Sequence, residues 1–161
     1  MEKMIVKVKK LHPDAVLPKQ ATDTDAGYDM VAIDDGVWDA NQRFIEYDTG
    51  IAVEPPSGYH SKISARSSIS KFDLVLCNGE GLIDNSYRNS IKFRFKPVYT
   101  MLTMGPAVGL KVPLNIFKKG DKIGQIKIEK TYYADFEEVD TLSQTERGLG
   151  GFGSSDIAKK S

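Results

Sequence analysis

Apolar and polar residues alternate with a period of two along much of this chain, and Gly, Pro, Asn and Asp repeatedly break the alternation. The clearest run covers residues 91–96. Ile91, Phe93 and Phe95 take one face there, and Lys92, Arg94 and Lys96 take the other. That period predicts a half-buried strand. The same pattern predicts strands over 4–8, 26–31 (entered through Gly27), 43–53, 59–65, 72–77 and 132–139. The 43–53 strand is interrupted at Gly50, where a bulge or a close backbone approach is expected. Over 123–130, Ile126 and Ile128 define one face and Ile123 falls on the other, so both faces should be covered. Turns are expected at 12–14, 34–36, 55–58 and 118–121, and a short helix over 66–71. About ten short strands without a long amphipathic helix predict an all-β sandwich, jelly roll or barrel. With no internal repeat and no low-complexity linker, residues 1–161 read as a single domain.

The densest chemistry lies in 78–93, NGEGLIDNSYRNSIKF. Leu82 and Ile83 run into a carboxylate, Asp84. A turn-rich interval through Tyr87 leads to the alternating strand. This reads as a β-hairpin with an Asp at its entry and a Tyr at its turn. Taken alone, Asp84 is more readily a turn residue accepting hydrogen bonds than a catalyst.

Composition narrows the classes. Lys plus Arg and Asp plus Glu number 22 each, so the formal net charge is zero. A protein that binds nucleic acid directly rests on a basic excess, so that partner is not expected. No apolar run reaches membrane-spanning length, and the start, MEKMIVKVKK, lacks a signal-peptide core. The one cysteine, Cys77, forms no internal disulfide, which fits a reducing, cytoplasmic setting. It lies in an apolar run and is expected to be a core thiol. With only His12 and His60 beside it, a structural zinc site is not expected.

Three further pieces carry candidate chemistry. The tail holds GLGGFG at 148–153, a formal match to the dinucleotide fingerprint. The match fails because only eight residues follow Gly153, too few for the required βαβ unit. What remains is a Gly-rich arm with Arg147, Phe152 and Ser154. It is either a linker or an arm that wraps a polyphosphate with its N–H groups. Arg66, Ser67 and Ser68 stand at the expected helix start, as an anion site or as a plain N-cap. Gln125 is a polar residue in an otherwise apolar strand.

In this order the pieces resemble the motifs of the trimeric dUTPases, the dUTP nucleotidohydrolases. Residues 26–30 (AGYDM), 66–68 (RSS), 81–88 (GLIDNSYR), 120–125 (GDKIGQ) and 147–155 (RGLGGFGSS) each resemble one motif, so the resemblance spans nearly the whole chain. It implies a jelly-roll-like distorted β-barrel with a mobile C-terminal arm over 143–161. It also implies a homotrimer that hydrolyses dUTP to dUMP and pyrophosphate with Mg²⁺. Asp84 would then be the general base. Tyr87 would lie under the deoxyribose and exclude a 2′-hydroxyl. The backbone around Gly81 and Ile83, with Asn78, would read uracil. Arg66, Ser67, Ser68 and Gln125 would meet the phosphates, and Asp29 would order metal-bound water. Phe152 would stack on uracil while Arg147, Gly153 and Ser154 close over the γ-phosphate from a neighbouring subunit.

The chain departs from that pattern in three places. Asn89 replaces the usual Gly after Tyr-Arg and is expected to take the left-handed conformation in its stead. Asp156 stands where the arm often ends in Gly. The interval from Tyr87 to Asp121 is longer than usual, with the extra length over 99–110, an apolar, Met-rich insertion that is either core-packed or a protein-partner site. The nearest alternative is a dCTP deaminase, which resembles this chain in its Arg-Ser-Ser element but uses a Glu where Arg94 stands here. A second alternative is a nucleotide-responsive interaction protein that uses the insertion.

Overall fold

A computed structural model describes residues 4–98 and 115–150. Ten strands form: β1 (Lys7–Lys10), β2 (Tyr28–Val31), β3 (Val37–Asp39), β4 (Phe44–Asp48), β5 (Ile51–Glu54), β6 (Tyr59–Ser64), β7 (Leu74–Leu76), β8 (Glu80–Ile83), β9 (Lys92–Pro97) and β10 (Lys122–Lys130). One sheet has the order β2-β10-β6-β8 and a second the order β3-β4-β9-β7, while β1 and β5 pair by themselves. Every pairing is antiparallel. This is the expected jelly-roll-like, nearly all-β architecture. Among the described residues no helix is long and apolar enough to cross a membrane.

The core forms where the inward faces of both sheets meet. Tyr47, Phe93, Phe95, Met30, Ile51, Ile91 and Ile123 are all but fully buried. The ring of Phe117 packs 5.8 Å from Tyr47 and 5.3 Å from Phe95, centroid to centroid. Such tilted and edge-on pairs add to the area they bury. The Tyr47 hydroxyl donates to the Phe117 carbonyl at 3.2 Å, so the one polar group of this cluster is satisfied. Burial first, then the nearby Asp121 and Asp34 carboxylates, push the Tyr47 phenol up to about 12.

Several sequence expectations need correction. The stretch 78–93 is not a hairpin: β8 pairs with β6 in one sheet, and β9 pairs with β4 and β7 in the other. The turn between them is a corner at which the chain changes sheets. The expected strand over 43–53 divides at Gly50 for a similar reason, since β4 pairs with β9 while β5 pairs with β1. Residues 132–139 form no strand. The short helix is a 3-10 turn over Ser67–Lys71. Cys77 is exposed in the turn between β7 and β8 rather than a core thiol. Asn89 is not left-handed, because Arg43 (φ 55°) is the one non-Gly residue with positive φ among those described. Its side-chain oxygen instead accepts from the Ser90 amide at 2.7 Å. The strand β3 had no counterpart in the pattern.

Ile123 and Ile126 are both buried despite their odd spacing. The register between β10 and β2 shifts between Lys122 and Gly124, so a bulge turns Ile123 inward. The bulge also lays Gly124 against the Phe93 ring, where any Cβ would overlap the ring carbons. Gly124→Ala should therefore cost about 1–3 kcal/mol or more by overpacking, read as a lower urea midpoint at unchanged m-value. A second expectation concerns pH. A phenol whose folded pKa lies above its ordinary value of 10 stabilises the fold below pH 10 and loses that contribution as pH rises toward 12. Thermal melts of the parent should fall across that window, and melts of Tyr47→Phe should fall less.

Candidate active site

The register lines up a row of side chains across the first sheet. Asp29 on β2 pairs with Gln125 on β10, Gln125 with Ser64 on β6, and Ser64 with Glu80 on β8. The Gln125 amide donates to the Ser64 hydroxyl at 3.2 Å and to the Ala65 carbonyl at 3.3 Å. Room for it exists because residue 27 is Gly: a Cβ there would overlap the Gln125 side-chain oxygen. Asp29 is only 13% exposed, and its carboxylate meets Arg66 Nε and Lys122 Nζ, each at 2.7 Å. The buried Oδ2 faces Lys122 without a well-directed hydrogen bond. Arg66 also donates to Ser68 Oγ at 3.3 Å. Ser67 is exposed at the start of the 3-10 turn. One end of the sheet thus carries two cations and several hydroxyl and amide groups around one carboxylate, a set suited to phosphate oxygens.

The second group runs along β8, from Asn78 and Gly81 beside the Ser64 end of β6 to Asp84 beyond Ser61. Among the described residues β8 is the last strand of its sheet, and one of its edges has no partner. Beside it opens a groove of about 430 Å³ lined by Asn78, Gly81, Ile83, Asp84, Tyr87 and Lys92, among others. Gly81 keeps the floor clear, since a Cβ would come within 2.6 Å of Ile63 and 2.9 Å of the Asn78 amide. The Tyr87 amide donates to the Asp84 carbonyl at 3.1 Å, and its hydroxyl donates to the Ser90 carbonyl at 3.0 Å. The exposed ring is therefore tethered at both ends. Ser90 in turn donates to Asp48, whose Oδ1 also accepts from the Gly50 amide at 2.7 Å. The wall beyond is charged: Glu46 binds Lys92 at 2.7 Å and Arg94 at 2.8 Å. Burial alone would raise the Glu46 carboxyl, but these two hydrogen bonds outweigh it and hold it below its ordinary value. Arg94 also lies over the Phe44 ring at 4.7 Å.

The residues singled out from sequence therefore fall into two sets. Asp29, Arg66, Ser67, Ser68 and Gln125 gather at the Ser64 end of β6, and Asn78, Gly81, Ile83, Asp84 and Tyr87 gather beside β8. Asp84 follows Ile83, which pairs with Ser61, while the first set begins at Ser64. At about 3.3 Å per residue the carboxylate stands roughly 13 Å along the strands from the Gln125 row. Arg147 sits in a turn, its Nε donating to the Gly150 carbonyl at 2.9 Å. Phe152, Gly153, Ser154, Asp156 and the 99–110 insertion lie outside the described residues. Sequence reasoning missed Lys122, although it stood inside the GDKIGQ segment. It also missed Asn85, taken there as a turn residue.

No three His, Cys, Asp or Glu side chains among the described residues converge as a metal cage. Asp29 is the one carboxylate of this set, and a magnesium ion bound mainly through phosphates and water would meet it through water, in place of its Lys122 contact.

Comparison with known proteins identifies the family and the fold. The dUTPase family model matches residues 14–99. The deoxyuridine 5′-triphosphate nucleotidohydrolase of Thermobifida fusca (strain YX) is 37% identical over 150 residues, covering 92% of this chain and 77% of that one. The enzyme of the same name from Helicobacter pylori (strain Shi470) is 32% identical over 157 residues, covering 97% and 99%. Among solved structures, a glycine-to-serine mutant of the Staphylococcus bacteriophage 80alpha dUTPase with dUpNHpp superposes with a TM-score of 0.72. It has 25% identity over 94% of this chain and 98% of that one. A mutant dUTPase from phage phi11 of S. aureus, described with a structural Mg(II) ion, has a TM-score of 0.69. At 22% identity, over 87% of this chain and 99% of that one, it speaks to the fold alone.

The tight seat of Gln125 can be tested directly. Gly27→Ala should displace its amide from Ser64 and Ala65 while leaving the melting temperature within a few degrees. The side-chain amide NMR signals of Gln125 should move; unchanged signals would contradict the packing described.

Proposed function

This chain belongs to the dUTPase family, and we propose that it hydrolyses dUTP to dUMP and pyrophosphate in a site shared between copies of the chain. The observation that carries the reading is the slot beside β8. A strand edge without a partner among the described residues presents peptide N–H and C=O groups, a carboxylate stands at its end, and a tethered tyrosine ring flanks it. Peptide groups at a strand edge offer donors and acceptors in alternation, which suits the polar edge of uracil. The Asn78 amide adds to that edge. The Tyr87 ring, fixed through Ser90, forms a flat floor for the deoxyribose and leaves no room for a 2′-hydroxyl.

Asp84 is exposed at the mouth of the slot, with open access to water. In the reaction it takes a proton from a water that attacks the α-phosphorus in line. The bond from that phosphorus to the bridging oxygen breaks, and the electron pair leaves with pyrophosphate. Arg66, Ser67, Ser68 and Gln125 hold the phosphates, and Arg66 is presented for this by its ion pair with Asp29. Magnesium, when bound with the nucleotide, neutralises phosphate charge, and Asp29 orders its water shell.

Asp84 stands too far along the strands from the Gln125 row for both to act on one α-phosphorus within a single chain. A homotrimer in which the slot of one copy faces the phosphate set of the next brings them together. The segment after β10 supports this. Tyr132, Tyr133, Phe136, Leu142 and Leu149 have fractional exposures from 83% to 106%, so their own core does not cover them. Carried onto a neighbour, this segment would deliver Arg147, Phe152, Gly153 and Ser154 to that copy's nucleotide. The deaminase alternative is disfavoured because Arg94, committed to Glu46 and Phe44, cannot serve as the proton-transferring acid.

Pyrophosphate release measured across dUTP, dTTP, dCTP and UTP should show turnover of dUTP alone, with no ammonia from dCTP. Asp84→Asn should lower kcat by about 10²–10⁴-fold while still binding dUpNHpp. Normal turnover by that variant would remove Asp84 from its assigned role.

A further inference from the structure

The corner that carries Asp84 and Tyr87 leaves its sheet at Ile83, so ladder hydrogen bonds no longer hold it. Side-chain hydrogen bonds replace them, those of Asn85 first. The Asn85 amide nitrogen lies 3.0 Å from the Pro55 carbonyl oxygen, 3.0 Å from that of Pro56 and 2.8 Å from that of Tyr59. Three carbonyls can only accept, so the atom facing them is the nitrogen, and both of its N–H groups are committed. The receiving turn is itself stiff. Two prolines fix its backbone, the Tyr59 amide donates back to the Pro56 carbonyl at 3.1 Å, and the Thr131 amide donates to the Gly58 carbonyl at 2.8 Å. On the outer side, Arg88 donates to the carbonyls of Asn85 and Tyr87 and lies 3.6 Å from Glu54.

We propose that Asn85 is a positioning residue for the hydrolysis assigned above, clasping the catalytic corner to the 55–59 turn so that Asp84 and Tyr87 are held at fixed places relative to the slot. The proposal rests on the dUTPase reading. Its physical content is that the carboxylate and the sugar floor are neighbours in sequence of one buried-edge anchor, on a segment with no strand partner of its own. Loosening the anchor lets the base drift, and misplacement by about 1 Å costs roughly a hundredfold in rate. Nucleotide affinity, which rests also on the slot edge and the phosphate set, falls much less than kcat.

The test is a graded series in the full chain. Asn85→Ser keeps one donor, Asn85→Ala keeps none, and Asn85→Asp turns a carboxylate toward three carbonyls. Steady-state kinetics with dUTP well below each melting temperature should give kcat in the order Asn, Ser, Ala, Asp. The fall should be about tenfold for Ala and about a hundredfold for Asp, with KM held within a few-fold. A readout independent of turnover is hydrogen exchange of the Tyr87 amide, which should be about tenfold faster in Asn85→Ala than in the parent. If kcat and that exchange rate stay unchanged in the Ser and Ala variants while only the melting temperature falls, Asn85 is structural and the proposal is overturned. Absence of dUTP turnover in the parent protein overturns the assigned reaction instead, and the exchange measurement still decides whether Asn85 holds the corner.

Discussion

The structure depends on a backbone constraint: a strand that passes from one sheet to another must satisfy its peptide groups without a ladder while it crosses. This chain crosses in that way at least twice, at Gly50 and between β8 and β9. Both crossings meet at one polar node. Thr49 donates to the Ile91 carbonyl at 2.7 Å, Asp48 accepts from Gly50 and Ser90, and the Ile91 amide donates to the Ile51 carbonyl at 2.8 Å. Thr49 is 1% exposed, so its hydroxyl has no water to fall back on. Unmade, such a bond would cost about 1–3 kcal/mol. The same node supports the base of the Tyr87 turn. Folding and site formation are therefore one event at this corner.

The packing of the core and the placing of the chemistry are separate tasks carried by alternate residues. At the start of β9 and along it, Ile91, Phe93 and Phe95 fill the interior while Lys92 and Arg94 face outward to Glu46. On β10, Ile126 points in and Gln125 points to the Ser64 hydroxyl. A period of two makes this division automatic. It also means that a one-residue slip would bury the charges and expel the apolar side chains, which pins the register on which the site depends.

Zero net charge hides strong local fields. Asp29 holds two cations at one end of a sheet, while the outer face beyond it carries a chain of opposite charges in which Lys62 meets Glu80 at 2.8 Å and Glu129 at 3.2 Å. The exposed pairs add little stability because water and salt screen them. The Asp29 pairs are better shielded, and they fix the Arg66 guanidinium beside that carboxylate.

Much of this was legible in the sequence. The alternation at 91–96 and the turn residues foretold an all-β fold of short strands, and the order of AGYDM, RSS, GLIDNSYR and GDKIGQ foretold the residues that gather in two sets. Local pattern could do this because strand period and turn chemistry are properties of neighbouring residues. It could not say which strands pair, so it read 78–93 as a hairpin where the chain changes sheets. It placed Cys77 inside because its run is apolar, whereas a turn holds it out. It expected a strand at 132–139 where nothing pairs. The bulge that turns Ile123 inward, the Lys122 contact with Asp29 and the hold of Asn85 on three carbonyls join residues far apart in the chain. Only the folded arrangement brings them within hydrogen-bond reach, and so only the tertiary structure decided them.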